Sequence, residues 1–261
     1  MKRYKTVLLT GASSGIGKEF AYALAPQTDF IVLVARRSDK LDALAEDLET
    51  RFGAETKTLI ADLSIPGEAA KVFEKTIELT GNSPDLLVNN AGVGFCGTSS
   101  EIPVEAECKM LTLNNESLMV LCKLSLKSMC TRRCGTILNV ASIGAFQPGP
   151  YMAAYYASKA FVLSYSEAIA AEARPFGVRV IALCPGTVNT EFHSMAGSKM
   201  GFFRRHFQSS AKDVVSFAMR SLLFGYPDLV IPGICNKLII FLERVLPRRV
   251  VTYFSGLYLK D

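Results

Sequence analysis

Thr6-Val7-Leu8-Leu9-Thr10-Gly11-Ala12-Ser13-Ser14-Gly15-Ile16-Gly17 is a short apolar run that breaks into a turn carrying three glycines. An apolar run without polar alternation reads as a strand buried on both faces. The residues that follow, Ile16–Leu24, carry helical spacing up to Pro26. A strand, a glycine turn and a helix in that order bring a helix N-terminus to the strand end, where backbone amides can meet phosphate. The glycines stand at intervals of four and two, unlike the common G-x-G-x-x-G spacing, but the physical requirement is the same. Ser13 and Ser14 can add hydroxyl contacts. The basic start before this run mimics a secretory leader, yet the run ends within a few residues and is read as the first strand.

Outward from this turn the pattern repeats. Apolar runs at Phe30–Ala35, Thr56–Ala61, Asp85–Val88, Thr136–Ala141 and Val178–Leu183 alternate with helical patterns at Ser38–Arg51, Pro66–Leu79, Pro103–Arg132 and Tyr151–Arg174. Unalternated strands separated by amphipathic helices predict a parallel sheet covered on both faces, a doubly wound α/β three-layer sandwich of about seven strands. No linker or repeat interrupts it, so residues 1–261 are expected to form one domain. Ligands of such sheets bind beyond the carboxyl ends of the strands. Gly11, Arg36, Asp62, Asn89, Ser142 and Pro185 each follow a strand.

Composition narrows the class. About half of the 261 residues are hydrophobic and the net charge is +5, with basic residues scattered along the helices, which disfavours a nucleic-acid partner. Seven cysteines without a C-x-x-C and only two histidines argue against a disulfide framework or a metal site and for reduced thiols in the cytoplasm. No uncharged apolar run of about 18 residues is present to span a bilayer. His193 and His206 read as structural or surface residues.

Two further features bear on chemistry. The second strand ends Val34-Ala35-Arg36-Arg37, with no carboxylate for a ribose 2′-hydroxyl and two guanidinium groups suited to a 2′-phosphate. Later, Tyr151, Tyr155 and Tyr156 precede Lys159. A lysine on the same helix face can stabilise a phenolate and lower the tyrosine pKa. Tyr155 at i, i+4 and Tyr156 at i, i+3 both remain open on geometry, whereas Tyr151 is too distant to pair directly.

Taken together, T-G-x-x-x-G-I-G at Thr10–Gly17, N-N-A-G at Asn89–Gly92, a serine closing the fifth strand and Y-x-x-x-K at Tyr155–Lys159 resemble the short-chain dehydrogenase/reductase (SDR) family over about residues 5–190. The resemblance implies a Rossmann fold and a catalytic set of Asn114, Ser142, Tyr155 and Lys159. Tyr155 is the implied acid/base, because Ser142 stands thirteen positions before it, a usual family spacing. Lys159 is then expected to lower its pKa and bond the nicotinamide ribose, Ser142 to bond the substrate carbonyl, and Asn114, preferred to Asn115, to link the lysine to solvent. The implied cofactor contacts are Gly11, Ser13, Ser14, Gly15, Ile16 and Gly17 at the turn; Arg36 and Arg37; Asp62 and Leu63 near the adenine; Asn89, Ala91 and Gly92; Tyr155 and Lys159; and Pro185, Gly186, Val188 and Thr190 near the nicotinamide. Arg36 stands where NAD-preferring relatives carry aspartate, while Ser14 replaces the basic residue of many NADP enzymes. NADP(H) is expected over NAD(H).

A substrate lid is expected at about 187–212. Phe192, Met195, Met200, Phe202, Phe203 and Phe207 suggest a lipophilic substrate, and Arg204, Arg205 and His206 could meet an anionic head group. The tail at about 233–261 is apolar and basic. Packing against the domain or a second subunit is expected for it in preference to a membrane-surface helix. The sequence thus points to an NADP(H)-dependent carbonyl reductase or alcohol dehydrogenase acting on a ketone or secondary alcohol, as a homo-oligomer, dimer or tetramer. A non-catalytic NADP-sensing protein on the same fold is the alternative; its mark would be a broken catalytic set, and here the set is intact.

Overall fold

The computed structural model describes residues 4–197, 208–225 and 227–260. Seven parallel strands form one sheet in the order β3-β2-β1-β4-β5-β6-β7. They are β1 (Tyr4–Thr10), β2 (Thr28–Ala35), β3 (Glu55–Ile60), β4 (Leu86–Asn89), β5 (Gly135–Val140), β6 (Val178–Leu183) and β7 (Leu229–Val230). The six sequence-read strands are all present within two residues at each end. β7 has only two residues, too few to carry a periodic signal.

The helices are α1 (Gly15–Leu24), α2 (Ser38–Phe52), α3 (Glu68–Thr80), α4 (Val104–Leu111), α5 (Ser117–Arg132), α6 (Ala153–Ala173), α7 (Phe192–Met195), α8 (Ala211–Phe224), α9 (Ile234–Val245) and α10 (Arg248–Lys260). The single long helix expected before β5 is divided by a π-turn at Thr112–Glu116. One extra backbone position there re-aims the asparagines without ending the helix.

Two cores sandwich the sheet. One gathers Val7, Leu9, Phe20, Leu24 and Ile31 with Val214 and Ala218 of α8. The other gathers Leu8, Val32, Val72, Leu121, Ile137 and Val162. Adjacent residues of β1 enter opposite cores, which is why that strand has no polar alternation. The chain reverses its order between β1 and β4, so a crevice opens above their carboxyl ends.

Candidate active site

A cleft with a volume of about 310 Å3 lies in that crevice. Its floor is the turn after β1. Gly11 and Gly15 have φ of 66° and 54°, left-handed values that cost glycine nothing. A Cβ on Gly17 would stand 2.1 Å from the Gly11 carbonyl oxygen, so the third glycine lets the helix meet the turn. Asn90 fastens the turn from the other side, its Nδ2 donating to the carbonyls of Thr10 (3.0 Å) and Gly11 (3.1 Å).

Ser14 is the N-cap of α1, and its side chain makes no capping bond; the first turn holds no acid either. The helix N-terminus is therefore available to a ligand anion. Arg37 reaches across the same place, donating from Nη2 to Ser14 Oγ (2.9 Å) and Ser13 Oγ (3.0 Å). Amides and hydroxyls converging on one cleft fit a dinucleotide diphosphate.

The far wall of this subsite holds a carboxylate that sequence reading missed. Glu191 Oε2 accepts from Arg37 Nη1 (2.7 Å), and Oε1 accepts from Lys40 (2.8 Å). The hydrogen bonds from Lys40 and Arg37 hold its carboxyl down at about 2. Nothing local marks Glu191, because Arg37 lies 154 residues away in sequence. Arg36 is more exposed and approaches Asp62 at 3.9 Å. Burial works to raise the Asp62 carboxyl, but hydrogen bonds from Ser64 and the charge of Arg36 outweigh it and leave it lowered.

At the other end of the cleft, α6 presents Tyr155 and Lys159 beside Ser142, which follows β5. Lys159 is buried and its Nζ donates to the Val140 carbonyl oxygen at 2.8 Å. It also sits 5.9 Å from the Tyr155 ring centroid. Burial pulls Lys159 from 10.5 down to about 8, which leaves it largely cationic at neutral pH. Burial pushes Tyr155 up to about 12, opposed by a hydrogen bond with Ser142. The lowering expected from Lys159 is not seen: desolvation of the phenol dominates, and Ser142 supplies the one opposing effect.

Tyr156 also touches the cleft wall, but its ring is engaged by packing. Its ring packs against Gly149 and Gly144, where a Cβ would meet it at 2.3 and 3.1 Å, and it is mostly buried. Tyr151 joins a small cluster with Met152 and Tyr155 but does not line the cleft.

Three of the sequence-read site residues stand behind the cleft wall. Gly17 packs on the turn itself. Asn89 points into the core, donating to Asn139 Oδ1 (2.9 Å) and Cys122 Sγ (3.2 Å), while its neighbour Asn90 turns toward the cofactor turn. Asn114 is buried, accepting from the Val93 amide and donating to the Val93 carbonyl and Ser158 Oγ. It braces the loop after β4 against α6, close enough to Gly92 that a Cβ there would stand 3.2 Å from its Oδ1 and 3.4 Å from Lys159 Nζ. Asn115 bonds the Ser158 carbonyl at 2.8 Å.

The other sequence-read residues, including Leu63, Ala91, Pro185, Gly186, Val188 and Thr190, line the cleft. So do Met152, Phe192, Tyr258 and Leu259, the last two from the tail helix α10. Met200, Phe202, Phe203, Arg204, Arg205, His206 and Phe207 lie outside the described residues, as does the side chain of His193. Among the described residues no group of three or more metal-ligating side chains occurs.

Residues 5–201 match the family model described as short chain dehydrogenase. The chain is 36% identical over 177 residues to a very-long-chain 3-oxoacyl-CoA reductase of Phaeosphaeria nodorum, covering 66% of this chain and 52% of that one. It is 33% identical to the 17-beta-hydroxysteroid dehydrogenase type 3 of Mus musculus, covering 74% and 63%. The chain thus spans little more than half the length of the first of these relatives. Among solved structures, a short-chain dehydrogenase from Sphingobium yanoikuyae in complex with NADPH superposes with a TM-score of 0.80, at 32% identity and 88% coverage of each chain.

Proposed function

Since the chain belongs to the short-chain dehydrogenase/reductase family, we propose that it is an NADP(H)-dependent oxidoreductase acting on a lipophilic ketone or secondary alcohol. The observation that carries this reading is the convergence of Tyr155, Lys159 and Ser142 on the same cleft as the open N-terminus of α1.

The residues of the cleft would hold the nicotinamide, which would supply or take up the hydride at the carbonyl carbon. Charge develops on the carbonyl oxygen as that happens, and a donor must answer it. Tyr155 donates its phenolic proton to that oxygen in reduction and takes it back in oxidation. Ser142 donates a second hydrogen bond and holds the phenol in register. Lys159, cationic at neutral pH, stabilises the phenolate as the proton leaves. Asn114 acts through position, fixing the Val93 loop against Ser158 behind the pair.

The cofactor preference rests on Arg36 and Arg37 just after β2, whose carboxyl end carries no carboxylate. Lipophilic substrates are supported by Met152, Phe192, Met195 and Leu259 at the tyrosine end of the cleft, and the relatives' names point the same way. We further propose a homo-oligomer, and a location in the cytoplasm on the sequence pattern of seven cysteines without a C-x-x-C.

The test is a panel of 3-oxoacyl thioesters, oxosteroids and bulky aliphatic ketones, scored by oxidation of NADPH against NADH. Turnover of at least one class with NADPH preferred supports the reading. Tight NADPH binding with no turnover of any class would favour the sensing alternative.

A further inference from the structure

The tail helices turn their apolar sides the wrong way for a soluble surface. On α9, Asn236, Ile240 and Glu243 face the protein. Ile234, Leu238, Phe241, Leu242 and Val245, at helical spacing, face away from it, with Ile234 85% and Phe241 62% exposed. On α10, Val251, Ser255 and Leu259 are the buried side, and Tyr253, Phe254 and Leu257 the exposed one. Isolated exposed apolar residues are normal, but apolar stripes repeated on two successive helices mark a contact surface.

Charge says what covers it. Residues 234–260 contain Lys237, Arg244, Arg248, Arg249 and Lys260 against one acid. That acid, Glu243, is turned inward, and burial pushes its carboxyl up to about 7. Outward, among the described residues of these helices, the face therefore carries aromatic and aliphatic groups with the exposed cations Lys237, Arg248, Arg249 and Lys260. A second copy of the chain meeting this face about a two-fold axis would set the same cations against themselves. An anionic lipid surface satisfies both the apolar stripes and the charge. Helices of 12 and 13 residues are about 18–20 Å long, too short to cross a hydrocarbon core of about 30 Å, so they would lie in the interface.

We propose that the outward face of α9 and α10 docks the protein on an anionic bilayer and sets the mouth of the cleft at the membrane surface. α10 borders that mouth directly: Tyr258 and Leu259 line the cleft, and the Tyr258 hydroxyl lies 3.1 Å from Thr187 Oγ1. α9 is anchored to the same end, with Asn236 against Gly186 and the Arg244 guanidinium 5.9 Å from the Phe146 ring centroid. A substrate dissolved in the bilayer would then enter without crossing water. That last step rests on the proposed function; the docking does not.

The test is flotation of the full chain with vesicles of phosphatidylcholine alone and of phosphatidylcholine with phosphatidylglycerol. Binding is expected to the anionic vesicles and to weaken as salt is raised. The pair Phe241→Asp and Phe254→Asp should weaken it by about tenfold or more. Arg248→Glu with Arg249→Glu should weaken it by about fivefold per charge or more. Both pairs should keep the wild-type melting temperature and the wild-type NADPH affinity. Equal or absent binding to both vesicle types would overturn the proposal. So would a dimer in light scattering that the Phe241 and Phe254 changes disperse. Because NADPH affinity is read separately, loss of docking with cofactor binding intact leaves the enzymatic reading standing.

Discussion

Replacing Lys159 by methionine separates what the site needs from what the fold prefers. The lysine is only 5% exposed, and burial lowers it from 10.5 to about 8. At about 1.36 kcal/mol per pH unit, keeping its ammonium charged in the folded protein at neutral pH costs about 3 kcal/mol. The unfolded chain holds that proton more tightly than the folded one between pH 8 and 10.5. Stability of the wild type should therefore rise with pH across this window, and the whole penalty is present below it. Methionine removes the penalty but takes away the donor to the Val140 carbonyl, which costs about 1–3 kcal/mol if nothing replaces it. Lys159→Met should accordingly be between equal in stability and about 2 kcal/mol more stable at pH 7. Denaturant unfolding of both proteins from pH 7 to pH 10.5 is the assay. The wild type should gain about 3 kcal/mol relative to the variant over that span, while other titrating groups cancel in the difference. Parallel curves would refute the argument that the buried ammonium is held against a desolvation cost. Turnover should be lost in the same variant, because no cation then stabilises the Tyr155 phenolate as its proton leaves.

Three further expectations follow from the geometry. Tyr155→Phe should reduce turnover by about a thousandfold or more while Tyr156→Phe stays within a few-fold; both should bind NADPH, and the reverse ranking would show that the wrong tyrosine has been chosen. Arg37→Ala should weaken NADPH about tenfold or more and NADH little, whereas Glu191→Gln, which removes the carboxylate competing for Arg37, should tighten NADPH; isothermal titration with both cofactors decides, and equal effects on the two would exclude a 2′-phosphate role. Gly17→Ala forces a Cβ to 2.1 Å from the Gly11 carbonyl oxygen and should destabilise by at least about 2 kcal/mol, while Gly67→Ala, with nothing within 4 Å but a φ of 83°, should cost only its backbone strain, as thermal melts would show.

Whatever depends on spacing within one element, or on the order of elements, was determined by the sequence itself. Unalternated strands between amphipathic helices leave only a covered parallel sheet, and the glycine turn must then lie at a strand end. The four-residue step from Tyr155 to Lys159 is one helical turn, so their common face needed no coordinates. Even so, helix geometry admitted Tyr156, and family spacing was required to set it aside before its packing on Gly149 and Gly144 could be seen. The tertiary structure alone decided what depends on groups distant in the chain. Asn89 and Asn90 read alike in a string, but alternation at the end of β4 sends one into the core and the other to the glycine turn. Glu191 carries no mark of its own until the segment after β6 is laid against β2 and its carboxylate meets Arg37 and Lys40. The tail is apolar at helical period either way, and only docking of Ile240 and Leu259 against the body shows that the remaining apolar stripes face outward. Periodicity records that a helix has a greasy side; which side is already covered is a property of the packing.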